Sequence, residues 1–292
     1  MRQFRIAALL AAAAVLTLAA PAVTLAAPAV APAGKTAKTA KAEDVGPLLD
    51  AAIAGSWRTD ANKARDQYRH PKETLTFFGL KPTMTVVEIS PGGGWYTDIL
   101  APVLRDRGLY IGAHNNPQGS PGAKKARAAF IDRKTANPDQ FGKMVVTSFG
   151  KGIENNVSAP GSADMVLTFR NVHNWDAAGF APQAFQAFYA ALKPGGVLGV
   201  VEHRMPETRE LTEQARKSGY MKQSEIIRLA EAAGFKLAAS SEINANPKDT
   251  ADWPAGVWTL PPNLSQGDTD RQKYLAIGES DRMTLKFVKP AS

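Results

Sequence analysis

The sequence contains no cysteine. Disulfides, thiolate metal sites, cysteine nucleophiles and a lipid-modified cysteine anchor are therefore excluded. No G-x-x-x-x-G-K-[ST] segment occurs, which excludes the phosphate-binding loop of P-loop ATPases. The four histidines show neither H-x-x-H nor H-E-x-x-H spacing, so no metal site is predicted.

The positive charge of the chain is concentrated near its N-terminus. The formal net charge is +8, but five basic residues and no acidic residue precede residue 42, which leaves +3 for residues 42–292. Such a small excess does not indicate a nucleic-acid partner. Hydrophobic residues make up 44% of the 292 residues, which is enough for a large packed core.

Residues 1–26 have the order of a secretory signal peptide. Arg2 and Arg5 precede an apolar stretch over 6–20, and small residues follow Pro21. Pro21 ends the stretch before it reaches the roughly 18 residues that a membrane span needs. Residues 27–45 are rich in Ala, Pro and Lys and predict a linker, which leaves 46–292 as one domain. We therefore expect a periplasmic or secreted bacterial protein with no stable membrane anchor after cleavage.

The remaining sequence alternates short apolar runs with segments of helical period. This alternation is typical of βαβ units and a parallel sheet. The last run, 282–288, is expected to form a hairpin with the run before it. The predicted strands are 84–90, 109–114, 143–149, 163–169, 197–203, 236–243 and 282–288.

A glycine-rich turn, EISPGGGWY over 88–96, follows the first predicted strand. Glycines let the backbone approach a ligand closely and expose amide donors at the start of a helix, so the turn predicts a site for a nucleotide-like cofactor. A dinucleotide fingerprint aligned on Gly92 and Gly94 would need glycine at position 97, where Thr97 stands. A nicotinamide oxidoreductase is therefore disfavoured.

Three motifs, taken in order, resemble the class I S-adenosylmethionine-dependent methyltransferases. The first is acid-x-G-x-G-x-G over 88–94, with Ser90 in place of the first glycine. The second is Asp164 leading a fourth strand that ends in RNVHNW over 170–175, and the third is LKPGG over 192–196. Together with RDQYRHP over 65–71, they resemble a subgroup of predicted methyltransferases that carry signal peptides. The resemblance covers about residues 65–290.

The resemblance implies a fold, a cofactor and a reaction. The fold is α/β, a doubly wound, mostly parallel, seven-stranded Rossmann-like sheet whose last strand is antiparallel. The cofactor is S-adenosyl-L-methionine, and the reaction is methyl transfer to a small-molecule acceptor. The implied cofactor-binding residues are Glu88, Ser90, Pro91, Gly92, Gly93, Gly94, Asn115, Phe149 and Asn171.

The candidate catalytic residues are His173, Arg170 and Tyr96. His173 follows the fourth strand, where open α/β sheets place their ligands, and could act as a general base. A hydrogen-bonded loop histidine is an equal alternative for it. Two further groups are candidates for the same cleft: Tyr68, Arg69 and His70 as a lid, and Glu202 and His203 at the end of the fifth strand.

The sequence departs from the methyltransferase pattern at two strand ends. The family usually has an acidic residue at the end of the second strand, where LYIGAHNN offers His114, Asn115 and Asn116. An acidic residue also commonly follows the third strand, where Ser148, Phe149 and Gly150 stand. An amide can still bind the ribose diol, and Phe149 could stack on the purine. The alternative function is a non-catalytic, exported small-ligand-binding module on the same fold.

Overall fold

A computed structural model describes residues 44–152 and 157–291. The predicted signal peptide, and the predicted linker up to residue 43, lie outside the described residues. No helix within the described ranges is long and apolar enough to cross a membrane.

Eight strands lie in the part of the chain that the structure describes. They are β1 Thr85–Ile89, β2 Leu109–His114, β3 Val145–Ser148, β4 Ala163–Phe169, β5 Leu192–Met205, β6 Met221–Lys222, β7 Lys236–Ser241 and β8 Arg282–Val288. Seven of them form the sheet in the order β3-β2-β1-β4-β5-β8-β7, and the two-residue β6 pairs with β5. Strand β8 is antiparallel to both of its neighbours, and the other pairs are parallel. The predicted fold class is confirmed.

The helices connect these strands and cover both faces of the sheet. They are α1 Gly46–Ala54, α2 Asp60–Lys63, α3 Asp66–Arg69, α4 Pro71–Phe78, α5 Thr97–Leu104, α6 Pro121–Ala136, α7 Pro138–Phe141, α8 Val172–Ala177, α9 Ala181–Ala191, α10 Glu213–Arg216, α11 Gln223–Ala232 and α12 Arg271–Ile277. A 3-10 turn spans Gly256–Thr259.

Alternate residues of each central strand serve two separate cores. In β1, Val86 packs with α4 and α5 on one face, whereas Val87 packs with α9 on the other. Both side chains are fully buried. A parallel sheet covered on both faces needs such continuous apolar strands. Polar side chains that serve a ligand are therefore left to the ends of the strands.

The chain departs from the predicted elements around residues 192–196. The pattern predicted that helix α9 would run to KPGG and that the next strand would begin at 197. Instead α9 ends at Ala191, and β5 begins at Leu192, which pairs with Ala163 of β4. The Gly195 amide also donates to the Lys289 carbonyl oxygen at 2.9 Å, which extends the ladder beyond β8. Pairing with two neighbouring segments outweighs the local turn signal of Pro194 and Gly195.

Gly199 of β5 occupies a position that no larger residue fits. A Cβ atom there would lie 2.6 Å from Leu167 Cδ2 and 2.9 Å from Phe78 Cδ2. We expect Gly199→Ala to lower the free energy of unfolding by about 1–3 kcal/mol, the usual cost of overpacking a core. Denaturant unfolding followed by circular dichroism measures this. Gly150→Ala is the matched control, because a Cβ atom there has no neighbour within 4 Å; equal losses in both variants would contradict the packing argument.

Candidate functional site

The glycine loop, residues 90–94, leaves the carboxyl end of β1 and enters α5. Ser90, Gly92 and Gly94 have positive φ angles of 51°, 57° and 83°, which turn the chain sharply. The Ser90 amide donates to Ala113 of β2, and the Gly94 amide donates to Pro91. The amides of Gly92 and Gly93 have no acceptor among the described residues, and both glycines are exposed. Two amide donors of the loop are thus available to a ligand.

Three side chains hold the glycine loop from different elements. Asn171 Nδ2, after β4, donates to the carbonyl oxygens of Ile89 and Ser90 at 3.2 and 3.4 Å. His114, at the end of β2, lies with Nε2 3.3 Å from the Gly92 carbonyl oxygen. Arg133 of α6 donates from Nη2 to the Gly93 carbonyl oxygen at 2.6 Å. The loop carbonyls are therefore paired with protein donors, while two of its amides are left for a ligand.

His114 occupies the strand end at which the sequence lacks the expected acidic residue. Its Nδ1 accepts a hydrogen bond from the Asn115 amide at 2.8 Å, so Nε2 carries the proton that is donated to Gly92. Burial lowers the pKa of His114, which keeps the ring neutral. The residue that replaces the acid therefore supports the glycine loop.

Glu88 is a buried carboxyl group beneath the glycine loop. Its Oε2 accepts hydrogen bonds from Tyr110 Oη at 2.6 Å and from Thr97 Oγ1 at 3.0 Å. Burial raises its pKa to about 7, although the two hydroxyl donors partly oppose that shift. Because Thr97 begins α5, Glu88 ties the start of this helix to β1 and β2.

His173 and Glu202 form a buried pair across the carboxyl ends of β4 and β5. His173 Nδ1 lies 3.0 Å from Glu202 Oε1, and Glu202 Oε2 accepts from the Val172 amide at 2.6 Å. A carboxylate can only accept, so Nδ1 carries the ring proton and Nε2 has a free lone pair. His173 lines the cleft, where Nε2 can accept a proton from a ligand.

His203 completes a group of three potential metal ligands that the sequence spacing did not predict. Ligand atoms of His173, Glu202 and His203 lie within 4.8 Å of one another. However, Glu202 Oε1 already accepts from the His203 amide at 2.9 Å, and His203 Nδ1 contacts Ser280 Oγ. Burial lowers the pKa of His203 well below its ordinary value, and the positive charges of Arg282 and Arg170 lower it further. The same positive charge opposes a divalent cation, so we interpret the group as a hydrogen-bonded network.

One cleft of about 380 Å³ brings most of the candidate residues together. It is lined by Glu88, Ser90, Pro91, Gly92, Gly93, Tyr96, Arg170, Asn171 and His173, and by Arg69 and His203 from the two further candidate groups. The segment after β7 contributes Trp258 and Asn263 to the lining. The sequence did not predict these two residues as part of the site, because no local pattern shows that this Pro-rich segment packs near the end of β4.

Tyr96 and Arg170 flank the cleft in defined positions. Tyr96 is buried, stacks on Phe169 with ring centroids 3.5 Å apart, and donates from Oη to the Arg69 carbonyl oxygen at 3.3 Å. Burial raises the pKa of Tyr96 to about 12, so the phenol stays protonated. Arg170 has a positive φ of 62°, and burial followed by repulsion from Arg282 lowers its pKa to about 10.

Three other candidate residues do not line this cleft. Phe149 is buried in the core, with its ring centroid 5.1 Å from that of Trp175, among the aromatics of α9. Asn115 is exposed, and its carbonyl oxygen accepts from Arg127 at 3.1 Å. Gly94 is buried at the start of α5, where an added Cβ would lie 2.9 Å from the Arg133 guanidinium carbon. Their assignment to cofactor binding stays a prediction, and only Gly94 belongs to the loop at the cleft.

Comparison with known proteins shows the fold. No family model matches the chain, and no curated protein sequence matches it. A solved S-adenosylmethionine-dependent methyltransferase from Aquifex aeolicus is similar at 12% identity and a TM-score of 0.50, over 85% of this chain and 99% of that one. The [4+2]-cyclase SpnF is similar at 14% identity and a TM-score of 0.56, over 85% of this chain and 94% of its own.

A third solved structure is phosphoethanolamine N-methyltransferase 2 from Haemonchus contortus. It is similar at 18% identity and a TM-score of 0.52, over 85% of this chain and 61% of that one. The chain therefore has the fold of class I S-adenosylmethionine-dependent methyltransferases. At these identities the likeness does not specify an acceptor.

The raised pKa of Glu88 predicts a pH-dependent contribution to stability. The folded state holds the Glu88 proton up to about pH 7, whereas the unfolded chain releases it near 4.5, so stability is lost as pH rises between these values. We expect the free energy of unfolding of the unsubstituted protein to fall by roughly 3 kcal/mol relative to Glu88→Gln over that interval. Denaturant unfolding between pH 4.5 and 8 measures this. Glu231→Gln, on an exposed position of α11, is the control, and parallel curves for parent and Glu88→Gln would contradict the expectation.

Proposed function

We propose that the protein is an S-adenosylmethionine-dependent methyltransferase that acts on a small-molecule acceptor. The observation that carries this proposal is the glycine loop, which presents the free amides of Gly92 and Gly93 to the same cleft as Asn171 and His173. A carboxylate or ribose oxygen can accept from such amides without displacing a protein hydrogen bond. The loop and the cleft therefore fit the amino-acid end of this cofactor.

The side chains around the cleft have separable roles in this function. The cofactor, when bound, supplies an electrophilic methyl group on its sulfonium. Asn171 holds the glycine loop in place, and His173 Nε2 accepts a proton from an acceptor that must lose one. Tyr96 stays protonated and shapes the cleft through its stacking on Phe169. Since transfer of a methyl group depends on alignment, these positioning contacts matter as much as the base.

Binding of the cofactor is tested most directly at Gly93. Gly93 has no positive φ, and a Cβ atom there meets nothing within 4 Å, so Gly93→Val should fold normally while its side chain crowds the amides. We expect S-adenosylmethionine and S-adenosylhomocysteine to bind the unsubstituted protein and NAD not to bind. In Gly93→Val the affinity should fall about tenfold or more, as for loss of a hydrogen bond to a charged group. Isothermal titration calorimetry measures all three ligands.

The matched control for this experiment is Gly122→Val. Gly122 lies in the first turn of α6, where an added Cβ comes no closer than 4.0 Å to Ser120 Oγ, and it is outside the cleft. Cofactor affinity in this variant should equal that of the parent. Binding of neither S-adenosyl compound by the parent would refute the proposal and favour a binding module for another small ligand.

We further propose that the protein acts outside the cytoplasm, in the periplasm or after secretion. The support is the signal-peptide pattern of residues 1–26. The mature protein, isolated from its host and sequenced from its N-terminus, should begin at or near Ala27. Recovery of chains that begin at Met1 from the cytoplasmic fraction would contradict this location.

A further inference from the structure

Four arginines line the cleft. They come from distant parts of the chain, and we call them the arginine cluster: Arg65, Arg69, Arg170 and Arg282. Arg69 and Arg282 are each only 2% exposed. Placing several guanidinium groups together away from water is costly unless negative charge compensates them.

Glu279 is the carboxylate of the described chain that contacts this cluster. It contacts Arg65 and Arg282, and one of its oxygens lies 3.2 Å from Arg69 Nε. Burial alone would raise the pKa of Glu279, but Arg282, Arg69 and Arg65 together hold it well below its ordinary value. One negative charge thus faces four positive charges, which leaves an excess of about three in the cluster.

Several donors of the arginine cluster have no hydrogen-bond acceptor among the described residues, although the Arg69 guanidinium lies over the Trp95 ring, 4.6 Å from its centroid. They are Nη1 and Nη2 of Arg69, Nη2 of Arg65 and Nε of Arg282, and all four atoms are buried. Buried polar groups in native proteins are almost always paired, so such a set calls for an acceptor. Burial and repulsion from Arg170 both lower the pKa of Arg69.

In the proposed function the free amides of Gly92 and Gly93 take the one carboxylate of the cofactor, which leaves none for the arginine cluster. S-adenosylmethionine carries one carboxylate together with an ammonium and a sulfonium, so its net charge is positive. The methyl acceptor must therefore supply the negative charge that compensates the arginine cluster. Arg170 directly precedes Asn171, which holds the glycine loop, so the arginine cluster adjoins the place where the reacting groups must meet.

We propose that the arginine cluster binds a phosphomonoester group of the methyl acceptor. This inference rests on the proposed function and specifies its substrate class. A phosphomonoester brings a charge of about −1.5 to −2 and three acceptor oxygens, which suits three guanidinium groups with four unpaired nitrogens. A carboxylate brings one charge and two oxygens, and would leave more of the cluster uncompensated.

The test is a titration with inorganic phosphate as the probe. Phosphate, sulfate and acetate are each titrated calorimetrically into the protein, once without cofactor and once saturated with S-adenosylhomocysteine, at a pH where phosphate is mostly dianionic. We expect phosphate to bind more tightly than sulfate or acetate. Arg69→Gln and Arg65→Gln should each weaken phosphate binding about tenfold or more, since each removes a charged donor. Arg228→Gln, on an exposed position of α11, should leave it unchanged.

Two variants are used so that the test does not depend on the folding of either one alone. Arg69→Gln leaves Glu279 in contact with Arg65 and Arg282, and Arg65 is partly exposed, so at least one of the two variants should keep the parent's circular dichroism and unfolding transition. Phosphate binding that is equal in the folded variants and the parent would overturn the proposal. Tighter binding of acetate than phosphate would also overturn it, in favour of a carboxylate acceptor.

The titration separates this proposal from the proposed function. Arginine-dependent phosphate binding without any binding of S-adenosylmethionine or S-adenosylhomocysteine would refute the methyltransferase and support the anion site. Cofactor binding without arginine-dependent phosphate binding would refute only the anion site. If S-adenosylhomocysteine displaced phosphate, the cluster would hold the cofactor's own carboxylate, and the assignment to the acceptor would be overturned.

Discussion

Burial of the parallel sheet on both faces is the constraint on which the rest of the structure depends. Val86 and Val87 of β1 point to opposite cores, and both are fully buried. Strands enclosed in this way have no solvated face that could carry ligand-binding side chains. The sheet therefore contributes ligand-binding side chains at the ends of its strands, and the loops after β1 and β4 meet at the cleft. Glu88 is the polar residue placed within the buried part of β1, and its raised pKa is the consequence.

The glycine loop is held in place by the protein before any ligand arrives. Its carbonyl oxygens are bonded to Asn171, His114 and Arg133, which come from three different elements. These bonds fix the direction in which the free amides of Gly92 and Gly93 point. A donor set that is already ordered loses little conformational entropy on binding, which favours affinity. The histidine that replaces the expected acid thus contributes to preorganisation.

Two charged groups at the cleft differ in how their charges are compensated. Glu202 pairs with His173 and with backbone amides, so its charge is satisfied locally. Glu279 alone is shared among three arginines, and buried guanidinium nitrogens stay without a hydrogen-bond acceptor. The first arrangement suits a proton acceptor with a fixed tautomer. The second suits recognition of an anion. Together they would orient an acidic methyl acceptor with one end near His173.

Much of the fold was predictable from local patterns. The bounds of β2, β4 and β8 agree with the predicted strands, because continuous apolar runs between turn residues define a buried strand wherever it pairs. Helix α4 begins at Pro71 and ends before Gly79, whose φ of 85° is the expected C-terminal conformation. The glycine loop was recognisable for the same reason, since its conformation needs those residues locally.

Other features were decided only by tertiary contacts. The start of β5 at Leu192 depends on pairing with β4 and with the segment after β8, which no local pattern reports. Phe149 could have faced the cleft or the core, and the aromatics of α9 bring it into the core. Arg65 and Arg282 are 217 positions apart, yet both contact Glu279. The sequence by itself determined the succession of strands along the chain and the position of the glycine loop, because these depend on short-range periodicity and backbone conformation. The tertiary structure decided the charge of the cleft, because that charge depends on which distant side chains share one carboxylate.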